Sequence, residues 1–192
     1  MLVRRALALA GTIGLAAAVR AGEGPAAVAP FNDAIEAYAK LHRRVAADLP
    51  PLPKRAEAAQ IAAYQKALAQ RLAAARPSAR QGDVFVAVSR SELRRLLREA
   101  TAEQPAAKEK EIATGNPAAE GVRVPLKVNV VYPEGAPRSN VPTTVLARLP
   151  RLPPELEYRF VGDHLVLLDA GAHVIVDFMA RVGEPAKEPA RP

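Results

Sequence analysis

Apolar residues recur every three or four positions through the first half of the chain, which is the spacing of amphipathic helices. The first run lies on one face of a predicted helix and comprises Phe31, Ile35, Tyr38, Leu41, Val45 and Leu49. Asn32 or Asp33 can cap its start, and Pro50 with Pro51 ends it. The second run follows an LPPLP segment, ends before Pro77 and comprises Ile61, Tyr64, Leu68 and Leu72. Two such helices joined by a short proline-rich turn predict an antiparallel helical hairpin.

A third helix is predicted after Ser89, because a serine followed three residues later by Glu92 has the spacing of an N-terminal capping box. Its apolar face comprises Leu93, Leu96, Leu97 and Ala100. The apolar segment 83–88 fits either a strand or an extra helical turn, because six residues are too few for periodicity to decide. Residues 103–121 lose the apolar pattern and contain two prolines and two glycines, which predicts a mobile surface connection.

From residue 122 the helical spacing of apolar residues gives way to alternation. The alternation over 122–130 predicts a half-buried strand, and Pro125 places that strand at a sheet edge, where a missing backbone donor is tolerated. We expect this edge to be unprotected and therefore open to pairing with another chain. The following segment 132–154 contains six prolines, which predicts a largely extended covering segment.

The last third of the chain has the pattern of three antiparallel strands. Gly162-Asp163 suits a two-residue hairpin turn, the fully apolar segment 165–168 marks the central strand, and a second turn is expected at 170–172. The face expected to pack on the helices comprises Leu156, Tyr158, Phe160, Leu165, Leu167, Val174, Val176 and Phe178. The opposite face comprises Val161, Val166, Leu168 and Ile175. Because that face is too apolar to remain in water, we expect the chain's own segment 122–152 or a second molecule to cover it.

These elements predict an α+β fold, in which an N-terminal helical hairpin and a third helix pack on a small C-terminal antiparallel β-meander. We expect a single domain over residues 30–180, which is long enough for a real core. Its parts are a helical half at 31–102, the connection at 103–121 and a β half at 122–179. The polar, proline-containing tail at 181–192 is expected to be disordered.

The first 21 residues have the organisation of a secretory signal peptide: Arg4 and Arg5, then an apolar run over 6–19, then small residues up to Ala21. We therefore expect an exported protein, periplasmic or secreted, and the arginine pair leaves the general and twin-arginine routes open. The apolar run is shorter than a membrane span, so no stable transmembrane segment is expected after processing. The absence of cysteine excludes disulfides, thiolate metal sites and cysteine nucleophiles.

Removal of residues 1–21 also lowers the formal net charge, from +7 to +4, which is 24 basic minus 20 acidic residues. The arginine pairs 43–44 and 94–95 lie on predicted helices and are not interleaved with aromatic residues. Because nucleic-acid binding requires a basic stripe, usually with aromatic side chains that stack on bases, we expect no nucleic-acid partner.

Histidine placement argues against a metal site. His164 and His173 are expected at opposite ends of the central strand, about 16 Å apart, whereas zinc–nitrogen bonds are about 2 Å long. We expect His164 near Asp177 across the strands and His173 near Asp169, as local cross-strand pairs. No metal or other cofactor is expected, and the sequence's only candidate ligands are Asp163, His164, His173 and Asp177.

No catalytic constellation is recognisable either, because the chain lacks a glycine-rich phosphate loop, an HExxH helix and a nucleophile elbow. Ser89 is explained as a helix cap and His42 as a core or boundary residue of the first helix. Glu155 and Glu157 have the spacing of a pair of carboxylates on one strand face that could act as general acid and base. Arg159 continues the same row, however, and such a row of opposite charges is typical of a solvated ion-pair face. We therefore expect no catalytic residue.

The stretch LARLPRLPPELEYRFVGDHLVLLDAGAHVIVDF resembles the closing part of a family of secreted bacterial proteins with no assigned activity. The LPPLP, RQGDVF and VNVVYP segments of this chain also resemble that family, so the likeness extends over most of residues 31–179. It implies export and this architecture only. The YRFVGDHLVLLD and VIVDF hairpins are also similar to those of small periplasmic proteins linked to nickel and cobalt homeostasis.

The sequence thus favours a small, non-enzymatic envelope protein that binds a protein or another envelope component. The partner is expected to be an envelope protein, or a second copy bound through the β half. Two alternatives remain: a periplasmic metal-handling accessory protein, and a hydrolase of envelope polymers acting through Glu155, Glu157 or His42. A binder should show an exposed apolar patch, a metal protein converging histidine and aspartate side chains, and an enzyme a cleft that holds two titratable groups.

Overall fold

The computed structural model describes residues 25–102, 105–118 and 120–181. The predicted signal peptide at 1–21 and residues 182–192 of the predicted tail lie outside these ranges. The helices of the described residues are α1 (Pro25–Ala47), α2 (Ala58–Ala75), α3 (Ala87–Ala102), α4 (Pro105–Ala113) and α5 (Thr143–Leu146). The strands are β1 (Leu156–Val161), β2 (His164–Asp169) and β3 (Ile175–Ala180).

The strands form a single antiparallel sheet in the order β1-β2-β3, which confirms the α+β fold and the β-meander. The predicted two-residue turn joins β1 to β2, with Val161 paired to His164 and Gly162 at a φ of 57°. In the second turn the left-handed residue is His173, with a φ of 53°, and not the glycine. Gly171 is favoured for a different reason, because a Cβ there would make a tight contact of 3.3 Å with the His42 ring.

A β-bulge interrupts the pairing of β2 with β3 at Leu167 and Leu168, opposite residues 175–177. The extra residue reverses the alternation of β3 beyond Val176, since a shift of one residue turns every later side chain to the other face. Phe178 therefore packs on the outer face of the sheet, and Met179 occupies the inner core in its place. The prediction that Phe178 lies on the helix-packed face was wrong for this reason.

The inner face of the sheet packs against α1, α3, α4 and α5. The helical contributors to this core include Phe31, Ile35, Tyr38, Leu93, Leu97, Ala100, Ile112 and Val145. The sheet contributes Leu156, Tyr158, Phe160, Leu165, Leu167, Val176 and Met179. The predicted inner-face residue Val174 is buried, but in a separate cluster with α2. The alternation of apolar residues therefore predicted the inner-face residues of β1 and β2 correctly, because no extra residue interrupts either strand.

Helix α1 begins at Pro25, two turns before the predicted start, and contains Pro30. Its extra turns are held by α3, because the Ser89 hydroxyl donates to the Ala27 carbonyl at 2.8 Å. Ser89 therefore connects two helices and does not cap one, which corrects the capping prediction. Helix α3 begins at Ala87, so the last two residues of the segment 83–88 are helical, whereas 83–86 form an irregular loop that fits neither the predicted strand nor a full extra helical turn.

Within its described residues, the connection at 103–121 contains helix α4, which the loss of the apolar pattern did not predict. Ile112 anchors α4 in the inner core. The buried Lys108 ammonium donates to the Ala100 carbonyl at 2.5 Å and satisfies a backbone acceptor in the last turn of α3. Asn116 then holds the hairpin turn, accepting from the Gly162 N–H at 2.8 Å and donating to the Gly162 carbonyl at 3.0 Å. Because α4 is held by one buried apolar residue and by hydrogen bonds, the spacing of apolar residues in the sequence does not predict it.

The outer face of the sheet is covered by the chain itself. Its buried cluster comprises Tyr132, Val161, Val166, Leu168 and Ile175, with Val124, Leu126, Ala136 and Phe178 packed on it. The covering segment is not the predicted strand: Val131 makes only an isolated bridge with Val174. Pro125 lacks a backbone donor and Asn129 has a φ of 64°, so an extended ladder cannot continue through 122–130.

The outer edge of β3 is also protected, by side chains. The Val176, Phe178 and Ala180 carbonyls accept hydrogen bonds from the Arg76 guanidinium, the Gln81 amide and the Arg94 guanidinium. Covering the polar groups of an edge strand in this way prevents pairing with another chain. The predicted unprotected edge strand at 122–130 is therefore absent from the described residues.

Helix α2 packs on the rest of the fold from Tyr64 onward. Leu68, Ala69 and Leu72 form a small core with Leu49 of the preceding loop and with the turn between β2 and β3. In contrast, residues 50–63 are all exposed except the half-buried Ala56. This segment, the tip of the helical hairpin, is called the arm below. It comprises the loop after α1 and the first turns of α2.

Candidate functional site

The four candidate metal ligands are not brought together. Asp163 is exposed at the tip of the β1–β2 hairpin, and the His164 ring packs in a T-shaped arrangement with the Phe178 ring, with centroids 5.8 Å apart. The strand pairing places His164 opposite Ala180 and not near Asp177, so that predicted pair was wrong. The described residues contain no group of three or more histidines and carboxylates that could hold a metal ion.

Asp177 is fully buried, and its carboxylate binds the loop between α2 and α3. It accepts from the backbone N–H groups of Gly82, Val84 and Phe85 at 2.9, 2.8 and 2.7 Å. Gly82 adopts a φ of 94°, which allows the loop to turn these donors toward one acceptor. The RQGDVF segment is therefore shaped around an acidic side chain of the sheet, and the Asp177 oxygens are already engaged.

Asp169 is the second buried carboxylate, and it joins α1 to the turn between β2 and β3. It accepts from the Tyr38 hydroxyl at 2.8 Å and from His42 Nδ1–H at 2.6 Å. The backbone N–H groups of Gly171 and Ala172 donate to its other oxygen at 2.9 and 2.6 Å. His173 is near Asp169, as predicted, but its contact is a backbone hydrogen bond to the Asp169 carbonyl.

The His42 environment favours its protonated form. The hydrogen bond to Asp169 raises the pKa of His42, nearby Glu155 adds to the rise, and burial and Arg43 oppose it. Burial and the Asp169 charge also raise the pKa of Tyr38 well above its usual range, so the phenol remains a donor. One oxygen of Glu155 accepts from Arg43 at 2.8 Å, and the other is buried without a partner among the described residues.

This cluster has one chemical property of a catalytic pair, because a carboxylate on Nδ1–H leaves Nε2 of a neutral histidine as an acceptor. No hydroxyl group of the described residues is hydrogen-bonded to His42, whose side chain is only 12% exposed.

Glu157 pairs with Arg159 at 2.6 Å, as the predicted ion-pair face requires. Glu155 is not part of that row, because it binds Arg43 on α1 instead.

Stability should depend on the protonation of His42. Its pKa is higher in the folded protein than the usual 6.5, so the cation favours the folded state. That stabilisation is fully present below the unfolded pKa and is lost as pH rises through the folded pKa. We expect the free energy of unfolding in urea to fall as pH rises from about 6 upward. The His42→Gln variant should lack this fall, and His164→Gln should keep it; parallel profiles for wild type and His42→Gln would contradict the assignment.

An apolar groove of about 770 Å³ lies between the covering segment and the tip of the β1–β2 hairpin. Residues 117–118 and 121–126 form one wall, and Val161 and Phe178 line the other side. Asp163 and His164 also line it. The groove therefore brings two of the sequence's candidate ligands to an apolar recess, which suits contact with an apolar group better than metal coordination.

Charge is divided unevenly between the two halves of the described chain. The helical half, 25–102, contains 13 basic and 7 acidic residues, whereas 105–118 and 120–181 together contain nine of each. Most of the excess lies in residues 40–71, which contain seven basic and two acidic residues. All seven basic side chains are exposed: Lys40, Arg43, Arg44, Lys54, Arg55, Lys66 and Arg71. The helical hairpin therefore carries most of the excess positive charge of the described residues.

Comparisons with protein-family models, curated proteins and solved structures gave no significant match. The resemblance of residues 31–179 to secreted bacterial proteins, and that of the closing hairpins to proteins of nickel and cobalt homeostasis, therefore stay predictions. Among the described residues, no helix combines the length and apolar character that a membrane crossing requires.

Proposed function

We propose that this chain is a small, exported, non-enzymatic envelope protein that binds an anionic envelope component through its helical hairpin. The observation that carries the proposal is the net formal charge of +5 on residues 40–71, seven basic minus two acidic residues. A concentration of one sign of charge attracts and orients an oppositely charged partner, and salt weakens this attraction.

The cations of the hairpin are available to a partner. Within the described part of the chain, five of the seven have no hydrogen bond or ion pair: Lys40, Arg44, Lys54, Arg55 and Lys66. The buried carboxylates are used differently, because Asp169 and Asp177 bind groups of the fold itself. A surface of solvated, unpaired cations supports binding of an anion more directly than the His42 cluster supports catalysis.

Export would bring the hairpin to a compartment rich in anionic material. The signal-peptide pattern of residues 1–21 is the basis for this part of the proposal. Phospholipid headgroups and envelope polymers both present phosphate or carboxylate groups, which lysine and arginine bind.

A charge-reversal pair tests the proposal. Lys40→Glu with Arg44→Glu lowers the net charge of the hairpin by four units, and Arg123→Glu with Lys127→Glu makes the same change on exposed residues of the β half. Binding to the isolated envelope fraction is measured by co-sedimentation at low and high salt, after thermal melts show both variants folded. We expect the hairpin variant to bind at least about tenfold more weakly, at roughly 1 kcal/mol per charge near an anionic surface. Equal losses in the two variants, or wild-type binding that salt leaves unchanged, would refute the proposal.

A further inference from the structure

The arm, residues 50–63, differs from the rest of the hairpin because it exposes large apolar side chains together with two cations, and its net charge is +1 with Glu57 counted. Leu52 and Ile61 are each 39% exposed, although both are large aliphatic side chains. Lys54 and Arg55 lie between them in the sequence and are exposed as well. An exposed large apolar side chain next to unpaired cations is the combination found on segments that lie in a membrane interface.

We infer that the arm docks on an anionic phospholipid surface, with Leu52 and Ile61 entering the interface and Lys54 and Arg55 contacting headgroup phosphates. The inference rests on the proposed function and names the anionic component that the hairpin binds. Basic residues at such a surface add electrostatic attraction, and the buried apolar area adds an attraction that salt does not screen.

The backbone of the arm suits a lipid interface. Pro50, Pro51 and Pro53 carry no backbone N–H, so the loop has few donors to lose water on entering a less polar layer. At the start of α2, the Glu57 N–H donates to the Gln60 side chain at 2.9 Å. An acidic protein partner could pair with the cations equally well. The lack of backbone donors would stabilise that complex less, because backbone donors are readily hydrogen-bonded across protein interfaces.

The arm has a matched control elsewhere on the molecule. Val130 and Val131 are 41% and 48% exposed, on the covering segment of the β half. Changing Leu52 and Ile61 to glutamine therefore removes about as large a fraction of exposed apolar side chain as changing the two valines to glutamine. Neither change alters the net charge, so the pair isolates the apolar contribution of the arm.

The experiment is co-sedimentation of the exported protein with vesicles of phosphatidylglycerol, and separately of phosphatidylcholine. Wild type should bind the first in a salt-dependent manner and the second weakly. We expect the Leu52→Gln, Ile61→Gln variant to bind phosphatidylglycerol about tenfold more weakly, from the transfer free energy of two partly exposed aliphatic side chains. The valine control should remain within about twofold of wild type.

Insertion has a direct optical readout, because the chain contains no tryptophan. A tryptophan placed by Leu52→Trp should shift its emission to the blue on binding, and one placed by Val130→Trp should not. Equal binding of arm and control variants, or no blue shift for Leu52→Trp, would overturn the inference.

The two proposals fail separately. Salt-dependent binding to the envelope fraction without binding to phosphatidylglycerol vesicles would overturn the lipid inference and leave the proposed function standing. If protease treatment of that fraction then abolished binding, the anionic component would be a protein. Absence of binding to both would overturn the proposed function as well.

Discussion

An Asp177→Ala variant should lose about 3–5 kcal/mol of unfolding free energy, a cost typical of breaking a buried charged interaction. The carboxylate is fully buried and accepts from three loop N–H groups, those of Gly82, Val84 and Phe85. Its removal leaves these donors without an acceptor, and each unsatisfied buried donor costs about 1–3 kcal/mol. The loop also positions Phe85, whose ring stacks on Phe31 at a centroid distance of 5.4 Å.

Urea unfolding measures this loss, and Asp163→Ala provides the control. The Asp163 side chain is 87% exposed at the hairpin tip, so its removal should change stability by less than about 0.5 kcal/mol. Asp177→Asn should fall between the two, because the amide keeps one acceptor oxygen and turns a donor toward the loop. A loss below about 1 kcal/mol for Asp177→Ala would show that the loop does not depend on this carboxylate.

A Val166→Asp variant should be destabilised by more than about 4 kcal/mol, because it places a charge in an apolar cluster with no partner. Val166 is fully buried on the outer face of the sheet, where the chain's own covering segment packs on it. Because that face is covered internally, the loss should appear in the unfolding of a monomer and not as a lost association.

A urea melt together with sedimentation separates these outcomes. The control is Val130→Asp, on the same covering segment but 41% exposed, which should be close to wild type in stability. If Val166→Asp were folded, equally stable and monomeric, the covering segment would not seal the outer face. If it were folded but no longer associated, a second molecule would be the cover.

Local pattern determined much of the fold from the sequence alone. The 3.6-residue spacing predicts α1, α2 and α3, and the two-residue spacing predicts the meander with its Gly162-Asp163 turn. These features depend on residues close together in the chain, so a short window contains the information that sets them. The outer face was identified as too apolar for water for the same reason.

Contacts across long sequence separations were decided only by the tertiary structure. Asp169 meets His42 at a separation of 127 residues, and Asp177 meets the loop at separations of 92 to 95. Periodicity reports which face a side chain lies on and not which group covers that face. The bulge in β3 and helix α4 escaped prediction because one inserted residue and a few polar anchors leave no periodic signal.

The candidate binding surface was likewise determined partly by the sequence and partly by the tertiary structure. The sequence alone shows seven basic residues between Lys40 and Arg71, but charge counts do not reveal which cations stay unpaired. The apolar face predicted for α2 includes Ile61. The tertiary structure leaves the first turns exposed, because the small core around Leu68 and Leu72 extends no further toward the start of the helix than Tyr64. An apolar residue is buried only where another element is close enough to cover it, and that proximity is set by the packing of the whole chain.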